Sequence, residues 1–117
     1  MTRQLTFAAL FYCASALAIA QTPAPTAGNA ANGKEKTRMC EGCHGVPGFR
    51  TAYPEVYSVP RLGGQHPEYI VKALQAYKSG EREHPSMRGI AASLTDQDMA
   101  DLGAYYGGQA PAKAAGK

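Results

Sequence analysis

Apolar positions along this chain form one almost wholly apolar block near its start and, much further on, two stripes at helical spacing. From Pro67 to Gly80, Tyr69, Ile70, Ala73, Leu74 and Tyr77 recur at three- and four-residue intervals, which predicts one buried helical face. Pro67 fits the first turn of that helix, Glu68 suits its positive end, and Gly80 ends it. The second stripe, Met99, Leu102 and Tyr106, follows Thr95, a cap residue whose partner Asp98 completes a capping box. Leu94 before the cap and Met99 inside it are placed as a hydrophobic staple, and Gly107-Gly108 stops the helix.

A third, weaker helix is predicted from Asn29 as N-cap through Ala30, Gly33 and Thr37 toward Cys40. Gly33 costs such a helix ~1 kcal/mol against alanine, which points to a neighbour packed close against it. Nothing from Gly45 to Gly64 alternates like a strand, and its density of Gly, Pro and Tyr reads as loop. Three short helices and long loops give an all-α class with a sparse core, so a non-protein group is expected to fill the middle.

The apolar block, Leu5 to Ile19, follows Arg3 and ends in Ala18-Ile19-Ala20, the pattern of a secretory signal peptide cleaved after Ala20. A retained anchor fits less well, because a spanning helix needs about 20 apolar residues. The expected organisation is residues 1–20 as signal, 21–28 as a flexible leader, 29–108 as one domain and 109–117 as a flexible tail. Cys13 leaves with the signal, and export places the domain in the periplasm. The formal charge of +3 falls by one with Arg3, and the remaining basic residues are interspersed with acids, so no nucleic-acid partner is implied.

The two cysteines left lie in Cys40-Glu41-Gly42-Cys43-His44, the C-x-x-C-H pattern of covalent haem attachment. On a helical turn, positions i, i+3 and i+4 share one side, so two thiols and an imidazole can face one flat ligand. The thiols then take the porphyrin vinyl groups, and His44 supplies the proximal nitrogen. A zinc site would need more ligands than His66 and His84 at their spacing provide, and a thioredoxin-like redox pair would need a strand before its helix. A plain disulfide is the remaining rival.

A second axial ligand is sought among Met39, Met87 and Met99. Met39 adjoins Cys40 and cannot reach the opposite haem face, Met99 is the staple, and Met87 lies in the polar stretch from His84 to Gly89 without a helical stripe to join. His84 and, less so, His66 are the competing ligands.

In GNAANGKEKTRMCEGCHG, VPRLGGQHPEYIVKALQAYKSGERE and HPSMRGIAASLTDQDMADLGAYY the chain resembles the class I c-type cytochromes, in particular one lobe of the di-haem periplasmic cytochromes c. The resemblance covers nearly all of the chain after the signal. It implies the cytochrome c fold, with the first and last helices crossing and Gly33 admitting the Tyr105-Tyr106 end of the last helix. It also implies that the Pro60 carbonyl accepts a hydrogen bond from His44. This sequence carries a single C-x-x-C-H, so transfer between two haems within it is not expected. Thr37 stands where many such proteins have an apolar residue.

The function implied is one-electron transfer by one covalent haem c, held by Cys40 and Cys43 with His44 and Met87 on the iron, between redox proteins of a respiratory chain. A monomeric carrier that is not itself an enzyme is the first reading. A haem subunit held in a dehydrogenase or oxidase is the second, and a peroxidase-like or ligand-sensing haem the third.

Overall fold

The C-terminal helix, α5 (Asp96–Gly107), is the element against which the others are arranged. The computed structural model describes residues 27–52 and 55–111, and the signal-peptide reading lies outside them. Thr95 caps α5 as its sequence predicts: its hydroxyl accepts from the Asp98 N–H at 3.1 Å, and its own N–H donates to Asp98 Oδ2 at 2.9 Å. Met99 and Leu102 are almost wholly buried and form the core with Ile70, Leu74, Ala91, Leu94 and Tyr106.

One flank of α5 takes α1 (Ala30–Lys36), and the other takes α3 (Pro67–Ser79). Both crossings are too close for side chains. A Cβ on Gly33 would stand 2.1 Å from the Asp101 carbonyl oxygen, and one on Gly103 would stand 2.8 Å from that of Pro67. Gly33 therefore meets α5 at the Tyr105 Cβ, at the end for which it was expected to make room, and more closely still at the Asp101 carbonyl one turn earlier. Two polar ties lock the α1 crossing. The Asn29 N–H donates to the buried Asp101 Oδ1 at 2.8 Å, and Lys36 pairs with Asp98 at 2.6 Å.

Three parts of the sequence reading change. The first predicted helix is two, α1 and α2 (Arg38–His44), separated at Thr37. The Thr37 carbonyl accepts from both the Cys40 and Glu41 N–H groups, while its buried hydroxyl lies 2.8 Å from the Lys34 carbonyl and 2.6 Å from Glu41 Oε1. A hydroxyl that is satisfied within its own turn can be buried where an apolar residue would also serve. The stretch read wholly as loop contains a small antiparallel hairpin, β1 (Arg50–Thr51) on β2 (Tyr57–Ser58), too short for alternation to show. The stretch read as a polar loop around Met87 is a helix, α4 (Pro85–Ala92), packed against α3. Its stripe of Met87, Ile90, Ala91 and Leu94 runs past the helix end, which hid the periodicity.

The close α1 crossing predicts that Gly33→Ala destabilises by about 1–3 kcal/mol through overpacking, outweighing the ~1 kcal/mol helical gain of alanine. Gly42 on α2 has nothing within 4 Å of its missing Cβ, so Gly42→Ala is neutral or mildly stabilising. Denaturant unfolding of both variants checks this, and equal stability of Gly33→Ala and the natural protein would refute the packing argument.

The Lys36 ammonium, with Thr95 behind it, holds the Asp98 carboxyl at about 2 against an ordinary 3.8. A depressed carboxyl stabilises the fold above its unfolded value, and that contribution fades as pH falls from about 4 through 2. The natural protein should therefore melt above Asp98→Asn near neutral pH, with the two midpoints converging at about pH 2. A gap that persists unchanged into acid would show that the charge is not its source.

Candidate functional site

The helix α2 is about two turns long, and it carries Cys40, Cys43 and His44 together. Neither cysteine is in a disulfide; Cys43 is exposed, and Cys40 is half-buried against the core. Burial pushes the Cys40 thiol up, partly offset by a hydrogen bond with Tyr106. A redox-active pair needs a depressed thiol, so this environment counts against the thioredoxin-like reading.

His44 is held from behind, with its Nδ1 2.6 Å from the Pro60 carbonyl oxygen. A carbonyl only accepts, so Nδ1 carries the proton and Nε2 is left with the lone pair of a ligand nitrogen. The segment bearing Pro60 is itself anchored to α5: the Gly64 N–H donates to the Tyr106 carbonyl at 2.9 Å, and the Gln65 N–H closes a turn on Leu62 at 3.1 Å. Gly64, at φ 80°, makes the bend in the left-handed region, and the Pro111 backbone lies against it.

Tyr106 thus serves both halves of the site, its carbonyl holding the Pro60 segment and its hydroxyl meeting Cys40. Burial, together with the Cys40 thiol, holds that hydroxyl well above the usual phenol range. The sequence reading took Tyr106 as part of a core stripe and of the helix end that Gly33 admits, and gave its hydroxyl no role. The available signal was the hydroxyl, since a tyrosine at a buried position normally has a partner for it.

The candidate axial ligands separate clearly. Met99 is fully buried and Met39 is 49 % exposed on α2, whereas Met87 is half-buried at the rim of the core cluster that also receives Cys40 and Leu62. The His84 ring is turned onto its own helix, its Nδ1 accepting from the Met87 N–H at 3.4 Å. His66 is exposed at the start of α3 and makes no cap bond.

This donor set suits a haem. Two unpaired thiols three residues apart adjoin an imidazole whose tautomer is fixed, and the half-buried Leu62, Tyr77, Met87 and Ile90 offer apolar surface on the same core cluster that Cys40 meets. A cavity of about 480 Å³ adjoins His44, Leu62 and Tyr106, but neither thiol nor Met87 lines it. It is therefore at most an edge of the haem bed.

The sequence pattern of the family Cytochrome c matches residues 30–106. The chain is 38% identical over 86 residues to cytochrome c4 of Pseudomonas aeruginosa, an alignment covering 74% of this chain and 41% of that protein. It is likewise 38% identical over 86 residues to cytochrome c-554(548) of Halomonas halodenitrificans, covering 71% of this chain and 99% of that one. The structure superposes on reduced recombinant cytochrome c4 from Pseudomonas stutzeri with a TM-score of 0.57 and 29% identity, over 73% of this chain and 53% of the other. The chain therefore spans about half the length or less of the cytochrome c4 proteins it matches, and nearly all of the shorter one.

Proposed function

The chain belongs to the cytochrome c family, which carries haem c covalently, and from that premise we propose that it is a one-electron carrier whose haem is held by Cys40, Cys43, His44 and Met87. The observation that carries the proposal is the 2.6 Å contact from His44 Nδ1 to the Pro60 carbonyl, on a helix whose two cysteines are unpaired. Bound in this way, haem c supplies a reversible one-electron couple whose potential is set by its axial ligands and surroundings. The protein residues make and break no bonds in the transfer. Cys40 and Cys43 tether, the Pro60 carbonyl keeps the His44 ring oriented and basic, and the Met87 thioether favours the reduced state.

The intended partners are redox proteins of a respiratory chain, met by a monomer that does no catalysis of its own. The apolar block at residues 5–19 supports export to the periplasm. No helix among the described residues is long and apolar enough to cross a membrane.

Absorption spectroscopy of the ferric protein, purified with haem attached, tests the ligand set. The weak long-wavelength band of sulfur-bound ferric iron should be present in the natural protein and absent from Met87→Ala, with a lower reduction potential in the variant. A double substitution of Cys40 and Cys43 by alanine should yield a chain that releases haem on denaturation. Persistence of the band in Met87→Ala would remove Met87 from the site, and instant cyanide binding by the natural protein would contradict the carrier reading.

A further inference from the structure

His84 does more than begin a helix. Pro85 opens α4 without an N–H, so the first turn has three backbone donors, from Ser86, Met87 and Arg88. His84 accepts from two of them: its carbonyl takes the Arg88 N–H at 2.9 Å, and its ring Nδ1 takes the Met87 N–H at 3.4 Å. The residue whose backbone the ring holds is the proposed axial methionine.

Serine, threonine, aspartate and asparagine are the ordinary caps, and any of them could take one N–H. An imidazole adds a ring that reaches beyond its own helix. The His84 ring lies edge-on to Tyr57 of the hairpin, with centroids 5.8 Å apart, and to Tyr77 of α3, at 6.5 Å. Tyr77 is in turn covered by the Arg82 guanidinium at 4.7 Å, whose Nη1 donates to the Tyr69 hydroxyl at 3.4 Å. The start of α4 is thereby fixed against two separate elements through one side chain.

We infer that His84 is a positioning residue for the Met87 thioether, its imidazole holding the Met87 backbone while Tyr57 and Tyr77 hold the imidazole. The inference rests on Met87 being the axial ligand, as proposed above. Its consequence is kinetic, because the thioether leaves the iron more often when the first turn of α4 is loose. An added ligand such as imidazole binds ferric iron only after the thioether has left, so its rate of binding reads this directly.

The experiment compares imidazole-binding rates of the ferric, haem-loaded natural protein with those of His84→Ala, His84→Asn and Tyr57→Leu, with Met87→Ala as reference. His84→Ala should bind roughly tenfold faster, the scale of a lost helix cap. His84→Asn, which restores the cap and lacks the ring contacts, should fall between the two. Tyr57→Leu, changed at a side chain 47% exposed, should accelerate binding in the same direction and keeps the test open if His84→Ala does not load haem. Natural rates in His84→Ala, or in Tyr57→Leu where His84→Ala does not load, would overturn the positioning role, while loss of the sulfur band in Met87→Ala left the ligand assignment intact. Retention of that band in Met87→Ala would instead overturn the ligand assignment and this inference with it.

Discussion

The crossing of α1 over α5 is the constraint on which the rest of this structure depends. It is closed by the absence of a side chain at Gly33 against the Asp101 carbonyl, and by the Asn29 N–H on the buried Asp101 carboxylate. Because α2 follows α1 after the single residue Thr37, fixing α1 against α5 also fixes where the two cysteines and His44 lie. The other end of α5 fixes the segment behind His44, through the Tyr106 carbonyl and the Gly64 N–H. One helix therefore sets both the attachment residues and the group that orients the imidazole.

The apolar packing follows from the same arrangement. Among the described residues, seven apolar side chains are buried, and they lie along the faces shared by α3, α4 and α5. Leu62, Tyr77, Met87 and Ile90 pack against this cluster but stay partly exposed, leaving an apolar rim on the same core that receives Cys40. A rim of this kind is incomplete as a protein core and suited to a flat apolar group, which is how a cofactor adds to the stability of a small domain.

Those features that depend on local chemistry were legible in the sequence. The capping box of Thr95 and Asp98, the Pro67 start and Gly80 stop of α3, and the C-x-x-C-H spacing each need only a few adjacent residues, and each has its local explanation in the structure. Gly33 was legible as a close approach to the Tyr105 end of α5, but its tighter contact with the Asp101 carbonyl was not, since that depends on where α5 lies along α1. Helix α4 escaped notice because its stripe spans one short helix and ends at Leu94, two positions beyond it, and because histidine is an unusual cap. The hairpin, of two residues per strand, is too short for a period of two to register. Of the double duty of Tyr106 the sequence signalled only that its hydroxyl needs a partner, because the partners themselves are 66 and 42 positions away, at Cys40 and Gly64.

The two sides of the proposed site are held by different devices, and this decides how each can vary. His44 is oriented through Pro60, Gly64 and α5, so its surroundings cannot change without moving the helix that supports the whole fold. Met87 belongs to a short helix tied to the remainder by the α3 contact, the core stripe and the ring contacts of His84. Changes at the α4 cap therefore act on the methionine side, whereas the hairpin, which touches His84 through Tyr57 and runs through Val59 into Pro60, bears on both sides. In the proposed carrier, the histidine side would supply constancy of structure, and the potential and ligand exchange would be adjusted from the methionine side at small cost to the fold.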